Sequence, residues 1–327
     1  MKTCYRPLTL CAVLLLSAAV CASPCAAQDY PSRSIRIVDG FPPGGNTDFL
    51  SRTIAQSLTQ NWGQTVVVDN RPGAASNIAA EIVAKSAPDG YTLFSGLIGA
   101  LAPSMALYPK LPYDLIRDFT PVGVVASSST VLFVHPSVPV KSLKELVALA
   151  KARPGALNYA SCGIGCSTHL ATEALKLRAR INMVHVPYKG GAFATASVVS
   201  GESQVTFGSL ATALGLIRAG KIRPVALSGP KRSKVLPDVP TIAESGYPGF
   251  DMTNWYGLLA PAGTPVAVVS KLNAELTRIF STPAVMQRLA TVELEPKTGA
   301  PDEFGAIIRK EIALYSSLIK EAGIKAE

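Results

Sequence analysis

Apolar positions along the chain fall into two alternating patterns. Ile35-Arg36-Ile37-Val38, Val66-Val67-Val68 and Thr92-Leu93-Phe94 read as short strands. Phe49, Leu50, Ile54 and Leu58 fall on one face of a helix beginning near Thr47. Leu143, Leu146, Val147 and Ala150 make a second helical stripe, and Phe304, Ile307, Ile308, Ala313, Tyr315 and Ile319 a third. Strand–helix alternation of this kind predicts an α/β fold with mainly parallel sheets. Of 327 residues, about 300 follow the leader read below, a length that suggests two such sheets rather than one.

Four strand-to-helix junctions share one chemistry. Residues 35–38 run into Phe41-Pro42-Pro43-Gly44-Gly45-Asn46-Thr47-Asp48, and residues 157–160 into Ser161-Cys162-Gly163-Ile164-Gly165-Cys166-Ser167-Thr168. Residues 184–186 run into Pro187-Tyr188-Lys189-Gly190-Gly191, and residues 205–207 into Gly208-Ser209. Glycine lets backbone N–H groups approach a ligand, and Ser, Thr or Asn caps the helix. The unsatisfied amides and positive dipole end of each helix then favour a carboxylate or phosphate. One such junction alone is an ordinary capped connection; four of one kind point to an anion-binding cleft.

The first residues carry an address. Lys2 and Arg6 precede an apolar run over residues 8–22, and Ala26-Ala27 come before the polar Gln28-Asp29. This is the pattern of a secretory signal peptide, residues 1–27, cleaved near Ala27. The run is shorter than the roughly 20 residues of a spanning helix, although the mean hydropathy of +0.28 is high. A retained anchor or a lipoprotein fits these residues less well. Removing the leader takes Lys2 and Arg6 and no acid, so the net charge of +9 falls by two to +7. Without a Lys/Arg run this charge does not indicate nucleic acid, and it suits small anions. Of the 6 cysteines, Cys4, Cys11, Cys21 and Cys25 leave with the leader. Cys162 and Cys166 remain. In an exported protein they can pair if their segment is a turn; a regular helix would not bring them together.

Other chemistry finds little support. Gly215-Leu216-Ile217-Arg218-Ala219-Gly220-Lys221 approaches a P-loop, but Ile222 stands where a hydroxyl must meet magnesium, and Gly220 reads as a helix C-cap. His135, His169 and His185 lack zinc-ligand spacing. No metal, cofactor or catalytic group is therefore expected. Cys166 with His169 is the alternative: a thiol enzyme, for which no orienting third group is visible in the sequence. Asp48, the acid at these junctions, suits the first turn of a helix as well as it suits a ligand.

The motifs together resemble a known family. Phe41-Pro42-Pro43-Gly44-Gly45, Thr47-Asp48, Asn70-Arg71-Pro72-Gly73-Ala74, Pro88-Asp89-Gly90-Tyr91-Thr92-Leu93 and His185-Val186-Pro187-Tyr188-Lys189-Gly190-Gly191 are followed by Leu236-Pro237-Asp238-Val239-Pro240-Thr241, Trp255-Tyr256-Gly257 and Pro261-Ala262-Gly263-Thr264-Pro265. This order is similar to that of the Bug family of periplasmic receptors, the solute-binding subunits of tripartite tricarboxylate transporters. The resemblance implies a type II periplasmic-binding-protein fold: two doubly wound α/β domains joined by two crossing strands. The crossings would lie near residues 122–128 and 254–258, making domain 1 residues 28–126 plus 254–327 and domain 2 residues 127–253. It also implies a monomeric, non-catalytic receptor that captures a small organic carboxylate and delivers it to membrane subunits. A free-standing periplasmic sensor or scavenger of the same fold is the other reading.

Carried over, the ligand-binding residues are Phe41, Pro42, Pro43, Gly44, Gly45 and Asp48, with Ala74, Ser76 and Asn77, from domain 1. Domain 2 would contribute Ser161, Gly163, Gly165, Cys166, Thr168, His169, Tyr188, Lys189, Gly190, Gly208 and Ser209. The sequence departs from the family pattern at Cys162 and Cys166, where serine is usual, at Ala75-Ser76, and at Gly208, where many members carry Asp. That Asp can meet the amino group of an amino-acid ligand, so its absence leans toward an uncharged or purely anionic distal group.

Overall fold

The computed structural model describes residues 30–326. The leader, its cleavage point and its four cysteines lie outside the described residues. From Arg33 onward the chain forms one compact unit built on two sheets. The first sheet holds β1 (Ile35–Asp39), β2 (Val66–Asn70), β3 (Thr92–Leu97), β4 (Phe119–Ser128), β10 (Asn254–Pro261) and β11 (Glu295–Pro296), in the order β11-β4-β10-β3-β1-β2. The second holds β5 (Thr130–Val134), β6 (Asn158–Ser161), β7 (Val184–Pro187), β8 (Val205–Ser209) and β9 (Arg223–Leu227), in the order β7-β6-β8-β5-β9.

The apolar runs read as strands take their places by burial. Ile35, Ile37 and Val38 are fully buried because β1 lies between β2 and β3. Val66-Val67-Val68 forms the edge strand β2, which leaves Val67 half exposed. The expectation of mainly parallel sheets needs correction. β1 pairs in parallel with β2 and β3, as β6 does with β7 and β8, but β10 runs antiparallel to both β3 and β4, and β5 antiparallel to both β8 and β9. The reason is connectivity. β4 leads straight into β5 through Ser129, and β10 brings the chain back, so both sheets take in strands that no βαβ crossover orients.

Helices cover the faces: α1 (Asn46–Trp62), α2 (Asn77–Ala84), α3 (Ile98–Leu107), α4 (Leu143–Ala152), α5 (Ser167–Ala179), α6 (Gly191–Val199), α7 (Leu210–Arg218), α8 (Val266–Phe280), α9 (Pro283–Thr291) and α10 (Pro301–Ala322). The stripe at residues 143–150 buries Leu143, Leu146, Val147 and Ala150, with Ser142 capping the helix by accepting from the Glu145 N–H at 3.2 Å. Gly220 adopts φ +64° one residue past the Ala219 C-cap of α7, the left-handed glycine that ends the helix as the sequence suggests. The α10 stripe buries Phe304, Ile308, Tyr315 and Ile319 against α3 and β4.

One buried face of α10 carries a carboxyl group. Glu311 is 6% exposed, accepts from the Tyr315 hydroxyl, and has Asp251 nearby. Burial, with the Asp251 charge added, raises its pKa to about 7. A raised carboxyl pKa means that its stability contribution is full below the unfolded value of 4.5 and is lost as pH rises through 7. Glu311→Gln keeps an acceptor for Tyr315 without the charge. Relative to wild type it should gain stability by at most about 1.4 kcal/mol per pH unit across that window. Thermal unfolding at pH 4.5, 6 and 8 checks this; a difference that does not change with pH contradicts it.

Candidate functional site

Strand register gathers strand ends at one edge of each sheet. In the first sheet Asp39 pairs with Asn70 and Ser95, Leu97 with Tyr256, and Ser128 with Asn254, so the carboxyl ends of β1 to β4 share one edge with the start of β10. In the second, Ser161 pairs with Pro187 and Thr130 with Ser209, so the carboxyl ends of β6, β7 and β8 share an edge with the start of β5. Ser129 joins the two edges. The return runs past Ser228, whose carbonyl accepts from the Met252 N–H at 2.9 Å. Every helix that follows a parallel strand at these edges starts there, and those after β1, β2, β3, β6 and β7 have no side-chain cap.

The loop after β1 uses most of its own donors. Asp39 is buried and accepts from the Phe41 N–H at 2.9 Å and the Ser51 hydroxyl at 2.6 Å, and burial raises its pKa. Pro42 and Pro43 have no N–H. Asp48, also buried, accepts from the Gly44 N–H at 3.0 Å, Arg52 Nε at 2.9 Å and Asn70 Nδ2 at 3.0 Å. Despite its burial, these bonds hold its carboxyl below the usual range. The amides of Gly45 and the first turn of α1 take no side-chain partner. A Cβ at Gly45 would meet only the Pro42 carbonyl, at 3.9 Å.

After β2 the chain makes a left-handed turn, with Ala74, Ala75 and Ser76 at φ 45°, 53° and 73°. L-residues resist this conformation by roughly 1–2 kcal/mol each. Ser76 donates to the Gly40 carbonyl at 3.2 Å, and Asn77 accepts from the Tyr113 hydroxyl at 2.6 Å. The first bond ties the start of α2 to the end of β1, and the second ties it to the segment between α3 and β4.

The loop after β6 is a turn closed by a Cys162–Cys166 disulfide, with Cα atoms 6.0 Å apart. Cys166 is the N-cap of α5. Within the turn the Cys162 N–H donates to Thr168 Oγ1 at 3.1 Å, Gly163 N–H to Ser161 Oγ at 3.2 Å, Gly165 N–H to His169 Nδ1 at 3.0 Å, and Cys166 N–H to the Gly163 carbonyl at 3.3 Å. The amides of Ile164, Ser167, Thr168 and His169 take no partner within the turn. Gly165 has φ +74°, and a Cβ there would collide with Leu107 at the end of α3.

Under this turn lie two histidines far apart in sequence. The rings of His169 and His185 stack 4.0 Å apart, with Tyr159 4.8 Å from His185. Ser161 Oγ pairs with His185 Nε2 at 2.6 Å. Tyr159 donates to Glu173, which also takes Lys176 Nζ at 2.6 Å. In this structure the Cys166 sulfur is bonded to Cys162 rather than held as a thiol, and His169 Nδ1 accepts from the Gly165 amide rather than facing that sulfur. Sequence spacing concealed this cluster because β7 brings His185 back beside β6.

The remaining expected residues divide. The Tyr188 N–H donates to the Ser161 carbonyl at 3.0 Å, bringing that loop beside the disulfide turn; Lys189 is exposed, and Gly190 is the N-cap of α6 at φ 122°. Gly208 and Ser209 lie within β8, not after it. Gly208 is buried, and a Cβ there would meet Phe133 Cε1 at 2.7 Å; Ser209 Oγ caps α7 by accepting from Thr212 N–H at 3.3 Å. Exposed Phe193 and Ile78, in the first turns of α6 and α2, add apolar surface that the glycine motifs did not signal. Two depressions, of about 270 Å³ beside Gln56 and Arg288 and about 550 Å³ beside Arg36 and Asp69, lie on the first sheet's side alone. Among the described residues no His, Cys, Asp or Glu cluster could hold a metal ion.

Residues 50–324 match the family described as tripartite tricarboxylate transporter family receptor. The chain belongs to this family. It is 36% identical to protein BugT of Bordetella pertussis over 323 residues, 98% of each chain. Among solved structures it is similar to R. palustris Rpa4515 with adipate, at 37% identity and a TM-score of 0.81 over 91% of this chain and 99% of that one. It is also similar to MatC from Rhodopseudomonas palustris with bound malate, at 31% identity and a TM-score of 0.77 over 89% and 100%. The type II periplasmic-binding fold of this receptor family is thus the fold of this chain.

Burial, then His185 and Lys176, push the pKa of His169 down to about 3. A depressed histidine contributes stability that is complete above its unfolded pKa of 6.5 and is lost as pH falls toward 3. His169→Asn supplies a non-titrating acceptor at the Nδ1 position. The stability difference between wild type and this variant should shrink, by at most about 1.4 kcal/mol per pH unit, as pH falls from 6.5 to 4. Denaturant unfolding across that range checks it, and a constant difference would count against a neutral buried His169.

Proposed function

We propose that this receptor captures a small organic carboxylate between the two sheet edges and delivers it to the membrane subunits of a tripartite transporter. The single observation that carries the reading is that helices from both sheets start, without side-chain caps, at the two sheet edges that Ser129 joins. Donors left over after internal bonding sit on both sides: Gly45 and the first turn of α1 on one, Ile164, Ser167 and Thr168 on the other. Neutral amides with a positive dipole hold an anion without a paired cation. Family membership and the adipate- and malate-bound neighbours support the choice of a carboxylate over other anions.

In this reading residues 28–126 with 254–327 and residues 127–253 act as two domains. They hinge at Ser129 and at the return beside Met252, and ligand favours the closed form. The chain works as a monomer in the periplasm, exported by the leader at 1–27. The ligand has no ammonium group. Asp39 and Asp48 are occupied by loop donors, and Phe133 fills the space an acid at position 208 would need.

Titration calorimetry with adipate, malate and glutamate tests this. A dicarboxylate without an amino group should bind, and glutamate should bind at least tenfold more weakly. Gly45→Leu, whose Cβ meets nothing closer than 3.9 Å, should fold normally yet lose more than tenfold in affinity. Thr168→Ala should lose less, since one hydrogen bond is worth about 0.5–1.5 kcal/mol. Equal affinity in Gly45→Leu and wild type would show that no carboxylate sits there.

A further inference from the structure

The Cys162–Cys166 bridge spans only four residues of sequence separation. A disulfide stabilises a fold chiefly by restricting the unfolded chain, and the effect grows with the loop closed. A bridge this short is therefore a weak global staple. Its position is more telling. It closes the turn between the end of β6 and the N-cap of α5, with Thr168 Oγ1 3.3 Å from each sulfur.

We propose that this disulfide is the positioning pair of the carboxylate site, so that the oxidised turn binds and the dithiol form binds weakly. The inference rests on the receptor reading above. The turn contains two glycines in conformations that other residues resist, at φ +126° and +74°. Gly163 and Gly165 make it flexible unless something closes it. With the bridge formed, the amides of Cys162, Gly163, Gly165 and Cys166 all turn inward to Thr168, Ser161, His169 and Gly163. The donors that take no partner within the turn are those of Ile164, Ser167, Thr168 and His169. Ser161 on His185 and His169 on Gly165 hold the turn to the sheet from below, and Leu107 meets it at Gly165. Opening the bridge frees Cys166 from Cys162, and with it the start of α5. The remaining donors then have to be ordered by the ligand itself, which costs affinity. Reduction by a dithiol breaks the S–S bond, leaves two thiols, and converts the reductant to its own disulfide by transfer of two electrons and two protons.

The experiment compares adipate binding to the oxidised receptor, to the same protein in dithiothreitol, and to a Cys162→Ala/Cys166→Ala double variant. Affinity should fall at least tenfold in the two open forms, with little change in the melting temperature of the ligand-free protein. Because binding and oxidation are linked reciprocally, saturating adipate should also make the bridge harder to reduce. A tenfold preference for the oxidised form corresponds to a shift of about 30 mV. A purely structural disulfide would lower the melting temperature on opening and show no adipate-dependent shift in potential; that result, or equal affinity in all three forms, overturns the inference alone. An oxidised receptor that binds neither adipate nor any other small carboxylate overturns the receptor reading and this inference with it.

Discussion

Everything about the site depends on the antiparallel pairing of β4 with β10 where the chain passes between sheets. Asn254 lies opposite Ser128, so the outgoing and returning strands cross side by side. Tyr256 ties the crossing, with its hydroxyl 3.2 Å from Ser128 Oγ and within 3.5 Å of Asn46 Nδ2 at the start of α1. With β10 also antiparallel to β3, and β5 antiparallel to β8, the parallel strands of each sheet end at the edge that Ser129 joins. The helices that follow must then start there.

A second constraint is the supply of backbone donors. A glycine-rich junction suggests many free amides, yet the turns spend most of them on themselves. Asp39 and Asp48 take the N–H groups of Phe41 and Gly44, and the disulfide turn consumes four of its own. The glycines are present because the backbone bends sharply and because side chains press against them, Leu107 at Gly165 and Phe133 at Gly208. The amides that remain belong to residues whose side chains carry no functional signature, such as Ile164. Recognition through backbone donors leaves side-chain identity free to vary, which suits a family that takes different carboxylates on one frame.

Much of this was legible in the residues. Strand-then-glycine junctions marked the ends of β1, β6 and β7, and their order supported the family and the fold. Mixed strand direction was not legible, because periodicity reports burial and says nothing of which neighbour a strand takes. β5 and β10 are apolar runs like any others until the chain path is known. Gly208 read as a loop residue because glycine usually ends strands, whereas here it makes room for Phe133 within one. The pairing of His169 with His185 was hidden by 15 intervening residues, and only the β6–β7 register brings the two together. The disulfide was left open by sequence and depended on the segment being a turn, as it is.

The central claim is that one anion is held by amides from both sheets at once. Amide resonance titration of the receptor with adipate tests it most directly. The N–H signals of Gly45 and Asn46 and those of Ile164, Ser167 and Thr168 should move together and saturate at one equivalent. Movement confined to one group, with the other unchanged at saturation, would contradict the account.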